Sequence, residues 1–250
     1  MDVFKVAVIN EVEKLYKKKK ILVAAIISLI FIIVGQLAIM GLRSGFGLRG
    51  TSSMEFPILV LSLVLNSILP LFTALVTIDS FSGEFSQNTM KIVVTRPISR
   101  LKLFTAKIVA VMLFVLANLL FVMIFSIVTG AILNSNSFTF QGIGKVFLCY
   151  AVSIIPMVIL ALIVAVFANI LKSGVGTFFL FILIFIIFKI MEVVFSSYSG
   201  IFFTSMINWY NLWKMTNFPF FKIFRKFMMM CSYGILLFTL GYYLFDKKEF

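Results

Sequence analysis

The chain has 250 residues, 62% of them apolar and 12% charged, with no histidine and a mean hydropathy of +1.15. A soluble domain is about 45–50% apolar and about 25% charged, so this composition excludes a water-soluble globule and describes a bilayer-embedded chain. The lack of His removes Ser-His-Asp and Cys-His nucleophiles, His-ligated metals and a His proton relay, and the formal charge of +13 lies at the ends of apolar segments, a topology signal and not a nucleic-acid surface.

Residues 2–20 read as an amphipathic helix lying on the membrane. Phe4, Val8, Val12 and Leu15 recur at near-fourfold spacing, with Lys5, Glu11, Glu13, Lys14 and Lys17 elsewhere on the wheel. The helix ends in Lys17, Lys18, Lys19 and Lys20, a run suited to an anionic leaflet. The first long apolar run starts at Ile21 with no small-x-small cleavage site after it, so it is expected to stay as an anchor.

Hydropathy then predicts an all-α membrane protein of six spans, each of about 20 residues or more. They are Ile21 to Met40, Pro57 to Ile78, Leu103 to Leu133, Val146 to Ala168, Gly176 to Phe195 and Phe227 to Phe245. The third is long enough for its first turns to project from the membrane or for the span to tilt. With the N-terminus inside, fourteen Lys and Arg fall on the inner side and eight on the outer, which predicts cytoplasmic N- and C-termini in a cytoplasmic (plasma) membrane.

Pro70 and Pro156 lie inside the second and fourth spans, where they kink helices that neighbours can re-satisfy. Asn66 and Asn118 suit interhelical hydrogen bonds, and Lys189 and Glu192 can face each other as an i,i+3 pair. Cys149 and Cys231 sit in apolar runs and read as small hydrophobes. Gly41 and Gly45 make a weak small-xxx-small signal for a dimer seam.

The segment from Ser196 to Lys226 is dense in aromatic residues and is interrupted by polar ones and Pro219. Such a sequence prefers the headgroup level and predicts short helices dipping into the outer leaflet. Trp209, Tyr210, Trp213 and Phe220 are its gate candidates; a plain aromatic belt is the other reading.

The stretch from Asp79 to Lys107 is the informative one. Asn88 or Thr89 can cap a short helix carrying the apolar stripe Met90, Val93 and Val94, and Arg96 before Pro97 ends it. Ser99 can cap the helix that follows. Acids at Asp79 and Glu84 and bases at Arg96, Arg100, Lys102 and Lys107 flank this stripe, and an apolar edge on a water-facing loop calls for a protein partner.

Glu84, Thr89, Lys91, Arg96, Pro97, Ser99, Arg100 and Lys107, in this six-span layout, resemble the signature of type-2 permeases of ATP-binding cassette exporters. Asn88 stands where that family commonly has Gly. The resemblance implies a single permease domain over residues 1–250, with an interfacial helix over 1–20, an ATPase-coupling loop over 79–102 and an outer aromatic segment over 196–226. It implies two permease chains, a homodimer in preference to a heterodimer, working with two copies of a cassette ATPase. The chain has no Walker A pattern, since Gly144-Lys145 lacks the first Gly and runs into Val146. ATP and magnesium therefore belong to the partner chain, and no cofactor or metal is expected on this one.

The cargo implied is an amphipathic or lipid-like molecule, with an antimicrobial or amphipathic peptide favoured over a lipid-linked sugar. A membrane-embedded enzyme would need paired carboxylates or an activated nucleophile within the bilayer, and the sequence offers neither. A membrane anchor or sensor that recruits a soluble partner through the same loop is the alternative.

Overall fold

The computed structural model describes residues 3–46, 54–83, 98–133, 139–171, 173–195, 200–215 and 218–247, and every regular element among them is a helix. In chain order these are α1 (Val3–Lys17), α2 (Lys20–Phe46), α3 (Glu55–Asn66), α4 (Ile68–Phe81), α5 (Arg100–Leu133), α6 (Phe140–Val152), α7 (Ile154–Leu171), α8 (Gly174–Val194), α9 (Phe203–Ile207), a 3-10 turn (Asn208–Leu212) and α10 (Phe220–Asp246). Lys20–Gly41, Arg100–Leu133, Gln141–Leu171, Gly174–Val194 and Phe220–Asp246 are each long and apolar enough to cross a bilayer, and the pair α3–α4, bent by 45°, makes six when taken as one broken span. These are the six apolar stretches expected from hydropathy.

The two intramembrane prolines explain two breaks. A proline lacks the N–H of the helical ladder and its ring crowds the carbonyl four residues back. For Pro70 that carbonyl belongs to Asn66, and the helix breaks at Ser67, whose φ of −126° and ψ of −77° lie outside the helical region. For Pro156 it belongs to Val152, the last residue of α6, and the break falls at Ser153. The freed Val152 carbonyl accepts a hydrogen bond from the Trp209 indole at 2.9 Å, so a break in the helical ladder of one span becomes an attachment point for the segment between α8 and α10.

A third break separates α1 from α2. Lys19 takes a φ of 54°, a left-handed conformation that side chains other than Gly adopt at a cost of about 1–2 kcal/mol. It lets the chain turn from α1 into the first span within two residues.

Helix α7 is the axis of the bundle. About 61% of its apolar stretch is buried, against 11% for α8 and for α10, and it packs on α4, α5, α8 and α10. Small residues on α7, Ala161, Val164, Ala165 and Ala168, are all buried and let neighbouring backbones approach. Around them lies a core drawn from α2 to α7, with Leu61, Leu65, Val111, Val115 and Met157 fully enclosed. The exposed Ile, Leu, Val and Phe side chains of α2, α8 and α10 face outward as a lipid surface.

Side-chain contacts show which helix ends lie together. Lys20 with Asp79, Lys107 with Ser80, Ser82 with Ala168 and Arg100 with Asp246 gather the start of α2, the end of α4, the start of α5 and the ends of α7 and α10 around α1. The segment from Gly200 to Leu212 packs at the opposite end, on α3, α6 and the first half of α7.

Candidate functional site

At the α1 end, the structure builds a buried charged junction. Leu15, Glu11 and Ala7 lie one turn apart on the face of α1 that packs on α5. Lys107 stands two turns into α5 and is fully buried; its ammonium lies 3.3 Å from Glu11 Oε2 and donates to the Ser80 carbonyl at 2.7 Å. It also sits over the Phe81 ring, 5.9 Å from the centroid. Lys14 holds the other Glu11 oxygen at 2.6 Å. One ammonium thus joins the interfacial helix, the end of α4 and the base of α5.

This arrangement corrects the sequence reading of α1. Glu11, expected away from the apolar stripe, is only 3% exposed, while Phe4 lies on the surface of the bundle. Val8 is half-buried, Val12 packs against the core and Leu15 is part of it. The buried face is rotated because an ammonium in a low-dielectric site must be paired, and Lys107 draws Glu11 inward. The signal available in the sequence was Lys107 itself, a cation two turns inside an apolar helix.

Flanking this junction, Lys18 and Lys20 both pair with Asp79, and the Arg100 guanidinium donates to the Asp246 carbonyl. Phe81, Phe104, Phe238, Tyr242 and Phe245 form an aromatic cluster beneath. Gly241 lies close against it: a Cβ at that position would meet the Phe104 ring at 3.1 Å, so the ring would have to give by a few tenths of an ångström. Ser99 caps α5 as its position suggests, accepting from the Lys102 amide at 3.4 Å. Of the coupling residues named from the sequence, Glu84, Thr89, Met90, Lys91, Val93, Val94, Arg96 and Pro97 lie outside the described residues. Among the described residues flanking them, Ser80 and Phe81 before and Lys107 after belong to the junction, and Arg100 pairs with Asp246.

At the opposite end, Trp209 and Tyr210 are buried, Trp213 is half-buried and Phe220 is exposed. Trp209 and Trp213 meet edge to face at 5.7 Å, Phe218 packs on Trp213 at 5.4 Å, and Phe220 stacks on Phe224 at 6.1 Å. The Trp213 indole nitrogen is enclosed and has no acceptor among the described residues. Burial pushes the Tyr210 hydroxyl above its usual titration range, an effect that its hydrogen-bonding partners Ser62 and Asn211 oppose. Beside Tyr210 a cleft of about 840 Å³ opens between α3, α6 and the 3-10 turn, rimmed by Glu55, Lys145 and Lys214. That volume lies within the range of ligand pockets, about 300–1,000 Å³.

Next to it, the bend at Asn66 is pinned by polar contacts. The Asn66 amide donates to Asn208 Oδ1 at 2.9 Å, and its carbonyl oxygen accepts from Lys189 at 2.8 Å. Lys189 also lies 3.7 Å from Glu192, the i,i+3 partner. The broken span, α8 and the 3-10 turn therefore share one polar junction. Asn118, the other intramembrane amide, bonds Ser28 of α2 at 3.4 Å.

Among the described residues no group of three or more metal-ligating side chains comes together, and Glu11, Asp79 and Glu192 are each held by a lysine. What the fold supplies is a pair of polar junctions, one at each end of the bundle, joined by broken spans. A family model described as an ABC-2 family transporter protein matches residues 7–192, from α1 through nearly all of α8. No curated protein gives a significant match to the sequence.

Proposed function

The chain belongs to the ABC-2 transporter family, a membrane permease subunit of an ABC transporter, and on that premise we propose that it exports an amphipathic peptide with energy from a separate cassette ATPase. Two copies of the chain and two of the ATPase make the working unit, in a cytoplasmic membrane with both termini on the cytoplasmic side. ATP and magnesium are held by the ATPase. The loop from Glu84 to Arg100 docks the ATPase through Met90, Val93 and Val94, with Thr89, Lys91, Arg96 and Pro97 shaping the short helix that carries them. Trp209, Tyr210, Trp213 and Phe220 gate the exit.

The observation that carries this reading is the Glu11–Lys107–Ser80 junction. It binds both roots of the docking loop to α1, so that a displacement of the loop moves α1, α4 and α5 as one body. The bend at Ser67 then lets the far half of the second span respond differently from its near half. An apolar cargo face suits the surface that α2, α8 and α10 present.

The test is co-purification from native membranes in mild detergent. A cassette ATPase in near-equal amount, lost in the Val93→Asp/Val94→Asp variant, is the expected result, and candidate peptides should then stimulate ATP hydrolysis by the complex. An ATPase retained at full amount by that variant would sink the docking assignment. A soluble partner without ATPase activity would favour a membrane anchor or sensor.

A further inference from the structure

A second cavity, about 280 Å³ in volume, lies at the far end between α7 and α10, and every residue that lines it is apolar, among them Val152, Ile155, Trp209, Trp213, Phe224 and Phe227. Its depth follows from the helices. Val152 lies seventeen residues from Asn169, which bonds Gly241 at the α1 end, and Phe227 lies nineteen from Asp246. At 1.5 Å per residue these separations are roughly 25–29 Å, so the cavity sits at the far boundary of a hydrocarbon core about 30 Å thick.

Phe224 forms a wall of this cavity and also of a shallower one on the other flank of α10, which carries Lys222 and Arg225 and no acid. Both cations are exposed. An apolar chamber and a pair of cations thus share one side chain at the level where acyl chains meet headgroups. A peptide segment would bring several amide groups, against which the chamber has only the Trp213 indole N–H to offer, and each unpaired one costs several kcal/mol in an apolar site; an acyl chain brings none.

We propose that this is a binding site for an anionic phospholipid, with one acyl chain between Trp209, Trp213 and Phe224 and the phosphate on Lys222 and Arg225. The site stands whatever the cargo. It makes the aromatic segment between α8 and α10 sensitive to the charge of the surrounding leaflet, because that segment rests on the lipid through its tryptophans.

Trp209 and Trp213 are the two tryptophans of the chain, so intrinsic fluorescence reports this chamber. The experiment reconstitutes the full chain in lipid nanodiscs of phosphatidylcholine with increasing fractions of acyl-brominated phosphatidylglycerol or acyl-brominated phosphatidylcholine. The expected result is quenching by the anionic lipid at a mole fraction at least about fivefold lower, the effect of one basic residue near the surface. The preference should vanish in Lys222→Gln/Arg225→Gln, whose side chains are exposed and carry no packing. Ile155→Phe, which fills the chamber, should abolish quenching by both lipids beyond the annular level. Equal quenching by the two lipids in the wild-type chain overturns the proposal, as does a preference that survives both variants. Quenching relieved by an added amphipathic peptide at constant lipid would assign the chamber to cargo and also overturn it.

Discussion

Removing one member of the Glu11–Lys107 pair should destabilise the fold more than removing both. At 3.3 Å and an effective dielectric of about 20, the attraction is roughly 5 kcal/mol. Taking each ion out of water costs several kcal/mol, so the intact pair is close to neutral while an orphaned charge is not. Losing one partner of such a pair costs about 3–5 kcal/mol. Lys107→Met should fall at the lower end, because Lys14 still holds Glu11 at 2.6 Å. Glu11→Gln should fall at the upper end, because it takes the carboxylate from the buried ammonium, a charge that the neutral Ser80 carbonyl and the Phe81 ring do not replace.

With about 2–4 °C per kcal/mol for a chain of this size, the single variants should lower Tm by roughly 6 °C or more, read by thermal unfolding in detergent or nanodiscs. Glu11→Leu/Lys107→Met should recover most of that loss, since an apolar replacement of similar volume removes both desolvation costs. If each single variant shifts Tm by less than about 2 °C, or if the double variant costs the sum of the two, the pair is not a buried, coupled one. The double variant also separates stability from coupling. It should fold and retain the ATPase, yet transmit its cycle poorly, giving ATP hydrolysis that cargo no longer stimulates.

Two further predictions concern the far end. Trp209→Phe should cost about 1–3 kcal/mol, because it leaves the Val152 carbonyl freed by Pro156 without its donor; Trp213→Phe should be near neutral, because its indole N–H has no acceptor among the described residues. Thermal unfolding of the two variants side by side tests the contrast, and equal effects would refute it. Asn66→Leu should release Lys189 and Asn208 from the bend and lower peptide-stimulated ATP hydrolysis at least several-fold with the basal rate unchanged; Asn66→Gln, which keeps both hydrogen-bonding groups, should restore part of it.

The division between what the sequence disclosed and what it withheld follows from the range of each interaction. A span is a one-dimensional property, so the six apolar stretches and the all-helical fold could be read along the chain. The prolines located both intramembrane breaks, because the affected carbonyl is fixed four residues away. The i,i+3 pair Lys189–Glu192 and the cap at Ser99 were equally local. Pairings between distant positions were different: Glu11 with Lys107, and Asn66 with Lys189 and Asn208, join residues 96, 123 and 142 apart.

Amphipathicity assigned Glu11 to water because a wheel knows only the helix it is drawn on, whereas α1 meets α5 across a buried ammonium. A membrane protein sharpens this difference. Lipid accepts an apolar side chain almost anywhere on the bundle surface, so the apolar residues specify insertion but not which faces meet. The few polar groups inside the membrane cannot be left to lipid and must find each other. It is they that set the rotation of α1, the bend of the second span and the seat of the aromatic segment, and these are the features on which transmission across the bundle depends.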